Sequence, residues 1–345
     1  MNKPQTNTEA PKKLRVTFYQ RRPQEANHSI ERVFADVRQS LPNDIEAKVA
    51  VSRFVSKGLW RRVFNVFEAP LRQGDVNHIT GDVHFLTYFI RGKRTLLTIH
   101  DLVCVHRLKG WRRAMLLFCW YWLPIRRAAV VSVISESTKT DLLRHIKVDP
   151  RKVRVVHDSV SAVFQPDFRE FRIKKPVILQ IGTGANKNVE RVAQALQGIS
   201  CHLRVVGKLG EDQIKVLKEC GVEHSSASNI SDVQVVDEYR QCDILVFVST
   251  YEGFGLPIIE AQATGRAVIT SNVLSMPEVA GDAACFVDPA DIESIRAGIL
   301  KVISDSEYRD ELVRRGFENV KRFQSKQIAK QYVDIYRELI ENKRE

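Results

Sequence analysis

Cysteine is sparse and unpatterned: six residues, at positions 104, 119, 201, 220, 242 and 285, form no Cys-x-x-Cys pair and no regular spacing. That excludes a disulfide framework and a thiolate metal centre, and suits reduced thiols of a cytosolic protein. Long apolar runs are missing too. The longest uncharged one, residues 115–125, is roughly half of what a bilayer-spanning helix needs. The opening MNKPQTNTEAPKK holds no apolar stretch of the kind an export signal carries, so a cytoplasmic protein is expected. There is no Asp-x-Asp metal motif and no His/Cys grouping at ligand spacing, so no bound metal is expected. Internal repeats and low-complexity tracts are absent as well.

What is present is a globular composition, 44% apolar and 27% charged, over 345 residues. That length holds two domains of ordinary size, each with its own core. The net charge of +12 is unevenly spread. Residues 1–170 carry 30 Lys and Arg against 16 Asp and Glu, whereas residues 171–345 carry 23 against 25. The basic excess therefore belongs to the first half, which calls for an anionic partner. No nucleic-acid module is recognisable and the basic residues are scattered, so nucleic acid is excluded and a membrane surface remains.

Apolar β-branched runs at residues 14–19, 48–52, 76–80, 95–99, 130–134 and 153–157 alternate with helical or loop stretches. This predicts a mostly parallel α/β sheet after an unstructured leader. The first such strand is followed by a polar loop, residues 21–29, and a helix over 29–41 carrying Ser29 and Arg32 near its start. His100 closes the run at 95–99 and so stands at a carboxyl edge of the sheet, where ligands bind. His78 and His84 are further candidates for that cleft. Residues 111–127, WRRAMLLFCWYWLPIRR, place two Arg pairs around a Trp-rich apolar helix, a composition that favours a membrane interface. The start of the next helix, Ser135-Glu136-Ser137-Thr138, is explained by capping alone.

Residues 164–175 lack apolar periodicity and read as a linker. A second domain opens with a strand over 176–181 and then Gly182-Thr183-Gly184-Ala185-Asn186-Lys187-Asn188. A glycine turn before a helix start forms an anion site from backbone N–H groups and the helix dipole, and Lys187 adds a full charge. Further elements are a strand over 203–207, helices over 211–220 and 233–240, and a last helix over 326–345. The most informative stretch is residues 243–261. The buried strand 243–248 leads into Glu252-Gly253-Phe254-Gly255-Leu256-Pro257, with Pro257 suited to the first turn of a helix bearing Glu260. Two carboxylates beside free backbone N–H groups suit a polyhydroxylated ligand.

The string Glu252-Gly-Phe-Gly-Leu-Pro-x-x-Glu260-Ala, with Pro277-Glu278-Val279-Ala280-Gly281-Asp282 and Asp288-Pro289 after it, resembles the donor site of the fourth family of retaining glycosyltransferases. The resemblance covers essentially the whole chain and is weakest before residue 75. It implies a GT-B fold: two facing Rossmann-like domains, residues 1–168 and 173–325, with the helix 326–345 returning to the first. It implies a nucleotide-diphosphate sugar as donor substrate, with no separate cofactor, and a glycan or lipid-linked acceptor in polysaccharide assembly. Glu252 would contact the transferred hexose, mannose favoured, together with the backbone of Gly253, Phe254, Gly255 and Leu256. Glu260 would hold the ribose, Ile230 would border the base, and His100 would face the sugar. Lys187 and the Gly182-Thr183-Gly184 turn would hold the diphosphate. The family carries Arg where this chain has Asn186, so Arg191 or Lys208 would have to compensate. That departure leaves a catalytically impaired nucleotide-sugar-binding protein as the alternative.

Overall fold

A computed structural model describes residues 13–22 and 29–341. The leader and most of the polar loop before the first helix lie outside the described residues.

Two six-stranded sheets, parallel throughout, form the frame. The first contains β1 (Leu14–Gln20), β2 (Ile45–Val51), β3 (Val76–Ile79), β4 (Thr95–Ile99), β5 (Val130–Val133) and β6 (Val153–Val155) in the order β2-β1-β3-β4-β5-β6. The second contains β7 (Val177–Ile181), β8 (His202–Val206), β9 (His224–Ala227), β10 (Ile244–Phe247), β11 (Ala267–Ser271) and β12 (Cys285–Val287) in the order β12-β11-β10-β7-β8-β9. Strands covered on both faces need continuous apolar runs, and β10 supplies one: Ile244, Leu245, Val246 and Phe247 are all wholly buried. Strand order reverses beside β1 and β3 in the first sheet and beside β7 and β10 in the second. Crevices open at such reversals, outside the carboxyl ends of the strands.

The final helix, Ser325–Glu341, leaves the second domain and packs on the first sheet. Its Ile328, Tyr332, Val333, Tyr336 and Leu339 join Val16, Phe18, Val76, Leu96 and Val130 in one core. His78 is part of that core. Its Nδ1 meets the Tyr336 hydroxyl at 2.7 Å and its Nε2 the Thr98 hydroxyl at 2.8 Å. The sequence reading put His78 in a cleft; it faces the underside of the sheet because alternate residues of β3 point to opposite faces.

Three strands had no counterpart in the sequence reading. β9 is polar (His-Ser-Ser-Ala), β12 is three residues long, and β11 follows its helix too closely for its run to stand out. Residues 111–127 are not one regular helix either. α-Helical turns over Gly110–Leu116 and Leu123–Arg127 flank a π-helical stretch, Leu117–Trp122. The backbone carbonyls around that widened turn find side-chain donors: Cys119 accepts from the Tyr88 hydroxyl and Trp120 from His84 Nδ1.

The two halves are joined by polar contacts as well as by the returning helix. Glu278 of the second domain accepts from the backbone N–H of Glu136 at 2.9 and 3.0 Å, so it caps a first-domain helix from across the interface. It also bonds His157 Nε2 at 2.8 Å. Burial alone would raise the Glu278 pKa; the His157 bond and the helix-start N–H groups outweigh it and hold the group below its ordinary value. A carboxyl held below its unfolded pKa adds stability above that value and loses it as pH falls through the folded one. Glu278→Ala is therefore expected to lower unfolding free energy by about 2 kcal/mol at pH 7, and by less in acid. Denaturant titrations at pH 7 and pH 4 check this; an equal loss at both would contradict the assignment.

Candidate active site

The turn after β10 is built for close approach. Gly255 has φ 111°, a conformation that favours glycine. At Gly253 the reason is space: an added Cβ would lie 2.2 Å from the His100 carbonyl oxygen and 3.1 Å from the Asp101 Cβ. The Gly253 carbonyl in turn accepts from the Ser135 hydroxyl at 2.6 Å and the Thr138 hydroxyl at 3.0 Å. Capping alone therefore does not explain Ser135 and Thr138. Ser135 caps its own helix and, with Thr138, holds the opposite turn. Tyr251 adds a bond to Asp141 at 3.1 Å and meets the backbone N–H of Leu102 at 3.4 Å.

This contact closes one side of an interdomain cleft of about 680 Å³, lined among others by His100, Asp158, Gly182, Lys187, Lys208, Ile230, Glu252, Gly253, Phe254, Gly255, Leu256 and Glu260. Two of its carboxylates are paired with cations of the same cleft. Lys187 Nζ meets Glu252 Oε1 at 2.6 Å and lies 4.5 Å from the centre of the Phe247 ring. Gly182, with φ 87°, leaves the room that the Lys187 side chain occupies, since a Cβ there would sit 2.9 Å from its Cε. Glu260 is 5% exposed and has both oxygens taken: Arg32 donates at 2.6 Å and the Tyr239 hydroxyl at 2.7 Å. Burial raises the Glu260 pKa, and Arg32 and Tyr239 only partly counter it. Burial likewise raises the carboxyl of Asp158, against a partial offset from His100 and His157. His100 donates from Nε2 to the Thr80 carbonyl at 2.9 Å, which turns its Nδ1 away from that bond.

Most of the residues expected to hold the donor thus meet in one cleft, and three of those, Arg191, Thr183 and Gly184, do not. Arg191 stays at its helix start, donating at 2.9 Å to Asn188, whose left-handed backbone and bonds to Val248 and Pro289 fix that corner. Arg191 is not among the residues that line the cleft. Thr183 and Gly184 belong to the glycine turn but do not line the cleft; the Thr183 hydroxyl is spent on the Lys208 carbonyl at 2.8 Å. Lys208 does line it and is exposed. Asn186 acts as a splint between the two loops. Its side-chain amide donates to the Tyr251 carbonyl at 2.9 Å and reaches Glu252 at 3.2 Å.

Arg32 and Tyr239 escaped the sequence reading as partners of Glu260, because nothing in linear spacing joins them. A second cavity of about 400 Å³ opens from His100 into the first domain, lined by Arg62, Asp82, His84, Asp101, Leu116 and Trp120 among others. His84 is therefore in a cleft, as expected, and its burial lowers its pKa. The fold also gathers His106, Asp141 and His145, a grouping with metal-ligand atom types that spacing had not suggested. It lies behind Tyr251, outside both cavities, and Asp141 there bonds His106 at 2.7 Å.

Residues 15–162 match the family described as Glycosyltransferase Family 4, and residues 164–319 match Glycosyl transferases group 1. The O-antigen chain mannosyltransferase B of Escherichia coli is 41% identical over 99 residues, 29% of this chain and 26% of that protein. The MMP alpha-(1->4)-mannosyltransferase of Mycolicibacterium hassiacum is 28% identical over 254 residues, 67% of this chain and 60% of that protein. The matches thus span between a quarter and three fifths of those two relatives. Among solved structures, a sucrose-phosphate synthase from Thermosynechococcus elongatus superposes with a TM-score of 0.75 at 18% identity, covering 96% of this chain and all of the other. Anabaena Alr3699/HepE in complex with UDP and glucose gives 0.74 at 14% identity, covering 93% and 99%. These likenesses carry the GT-B fold.

The close contact at Gly253 has a direct test. Gly253→Ala should push the turn off His100, lower stability by about 2 kcal/mol and widen the angle between the domains. Thermal melting and small-angle scattering check it, and an unchanged radius with unchanged melting would contradict the contact.

Proposed function

The chain belongs, through both of its halves, to the family-4 glycosyltransferases, and from that premise we propose that it transfers a hexose, mannose favoured, from a nucleotide-diphosphate sugar to a glycan or lipid-linked acceptor with retention of anomeric configuration. Polysaccharide assembly is the setting, in keeping with relatives named as mannosyltransferases. One observation carries the reading: two ion pairs, Lys187–Glu252 and Arg32–Glu260, stand in one cleft at the strand reversal beside β7 and β10. Each pair offers a charged group that a nucleotide sugar can claim.

In this scheme Glu260 accepts the ribose hydroxyls, and Arg32 yields its place. Lys187 swings from Glu252 to the diphosphate, joined by Lys208. The two cations stabilise the charge that grows on the leaving diphosphate, where electrostatic stabilisation lowers the barrier. Glu252, released from Lys187, positions the sugar hydroxyls. The departing phosphate oxygen itself takes the acceptor hydroxyl proton, so attack occurs on the face that the leaving group vacates. His100, at the junction of the two cavities, orients the sugar toward an acceptor entering past Asp82 and Trp120. With two lysines on the diphosphate, the reaction is expected to need no metal.

Glu260→Ala is expected to weaken nucleoside diphosphate binding on the order of 10- to 100-fold, since it removes charged hydrogen bonds. Glu252→Ala should spare nucleotide binding and depress transfer. Lys187→Ala should cost diphosphate far more than nucleoside affinity. Calorimetry with a radiolabelled transfer assay reads all three; equal nucleotide losses for Glu252 and Glu260, or activity abolished by a chelator, would overturn the scheme.

The acceptor side points to a membrane surface. Among the described residues no helix is long and apolar enough to cross a bilayer. Residues 111–127 divide their apolar side chains: Tyr121 and Ile125 are buried, while Trp111, Met115 and Phe118 are exposed. The helix Leu59–Glu68 exposes Leu59, Trp60, Phe64 and Phe67, and Phe67 packs 5.1 Å from the exposed Phe89. Arg62 joins the two segments, its guanidinium 5.0 Å from the Trp120 ring. Exposed aromatics among arginines, at the rim of the first-domain cavity, suit a monotopic contact with anionic lipid at the inner face of a membrane. Anionic vesicles should sediment the wild type at low salt, and binding should fall but persist at high salt. Trp60→Ala with Trp111→Ala should remove the salt-resistant part, and Arg61→Glu with Arg112→Glu the salt-sensitive part. Wild type remaining in the supernatant at low salt would make the acceptor a soluble glycan.

A further inference from the structure

The first sheet ends on one side in β2, and the outer edge of that strand is uncovered. β2 runs parallel to β1, with Leu14 opposite Ile45 and Gln20 opposite Val51. The Leu14 N–H donates to the Asp44 carbonyl at 2.8 Å and the Ser52 N–H to the Gln20 carbonyl at 2.9 Å. The even-numbered residues of β2 therefore turn their backbone groups toward β1. Those of Ala47 and Val49 point outward and have no partner among the described residues. This free stretch has defined ends: the Ile45 N–H is taken by the Pro42 carbonyl at 3.0 Å, and the Val51 carbonyl by Arg72 at 2.8 Å. Glu46, Ala47, Lys48 and Val49 are all exposed, Val49 to 40%. None of them lines either cavity. An open strand edge of this kind invites pairing with another chain.

We propose that this edge pairs with the same edge of a second copy, antiparallel and centred on Ala47, so that the first-domain sheets of two copies join into one. The run Ile45-Glu46-Ala47-Lys48-Val49 is complementary to itself about that centre. Ala47 exchanges both of its backbone bonds with Ala47 of the second copy, and each Val49 N–H reaches the Ile45 carbonyl opposite. Glu46 then stands directly opposite Lys48 of the second copy, in a pair without backbone bonds, where facing side chains come closest. Two-fold symmetry makes that ion pair twice. On the other face of the sheet, Val49 of each copy lies opposite Ile45 of the other. A lysine on an edge strand ordinarily guards it against pairing. Here its counter-charge lies two residues away on the same face, where an antiparallel copy in this register meets it. Registers centred on Glu46 or on Lys48 would set like charges opposite each other. One centred on Val49 would leave both charges without a counterpart. The self-complementary pattern is what selects a second copy over a foreign strand, and both cavities stay open in the pair.

The test is sedimentation velocity of the purified full chain over roughly 1 to 200 μM, a range suited to an interface at the small end of specific contacts. Wild type should pass from the 39.4 kDa chain to twice that mass as concentration rises. Ala47→Pro removes the central N–H from a strand edge that tolerates proline, and should weaken association at least about 10-fold. Lys48→Glu and Glu46→Lys should each do the same, since each sets two like-charged pairs face to face. Mixing these two variants should restore association as a heterodimer. Both changes in one chain should restore the homodimer, which separates the effect of charge from any loss of folded protein. Wild type monomeric over the whole series would overturn the proposal. So would a dimer that Ala47→Pro and the single charge changes leave intact, or a loss that neither the mixture nor the double change restores.

Discussion

The structure depends on the approach of one glycine to the opposite domain. Gly253 brings the turn after β10 against the His100 carbonyl, closer than any side chain would allow. Because the carbonyl of the same residue accepts from Ser135 and Thr138, the turn is held from two sides. The two sheets are thereby fixed with the carboxyl ends of their strands facing each other, and the cleft is the space left between them. Glu278 and the Ser325–Glu341 helix reinforce the same arrangement from farther away. Loss of the Gly253 contact would separate Glu252 from His100 without touching either side chain.

Within that frame the cleft is electrostatically self-satisfied. Every carboxylate singled out for the donor has a cationic partner at hydrogen-bond distance: Lys187 for Glu252, Arg32 for Glu260. A buried carboxylate without a partner would be costly, so the empty site needs such substitutes. In the proposed scheme a donor with hydroxyls for the carboxylates and phosphates for the lysine would exchange one set of charged hydrogen bonds for another. Selectivity then comes from the geometry of the exchange more than from its gross energy. Asn186 belongs to this economy: in a position where an arginine would add charge, it ties the glycine turn to the Tyr251-Glu252 backbone and so fixes where Lys187 starts.

Much of this was legible in the chain before any coordinates. Buried strands announce themselves as apolar β-branched runs, and the strand–turn–helix at residues 243–261 carries its glycines, its proline and both glutamates in order. The parallel α/β sheets follow from such local signals. The GT-B arrangement, the gathering of residues 252–260 in one cleft and the return of the last helix were implied by the resemblance that residues 252–289 carry.

Tertiary structure alone decided which groups face each other. Arg32 meets Glu260 across 228 positions of sequence, and Glu278 caps a helix of the other domain across 142. His78 and His84 look alike in the chain, yet one is sealed beneath the C-terminal helix and the other lines a cavity, since His78 lies on β3 and His84 opens the 3-10 turn His84–Tyr88 beyond the sheet. Thr183 and Arg191 stand outside the cleft lining, the one bonded to the Lys208 carbonyl and the other to Asn188. The sequence determines local conformation because backbone sterics and apolar periodicity act over a few residues. Pairing between charges, and the side on which a histidine emerges, depends on long-range packing, where no linear pattern reaches.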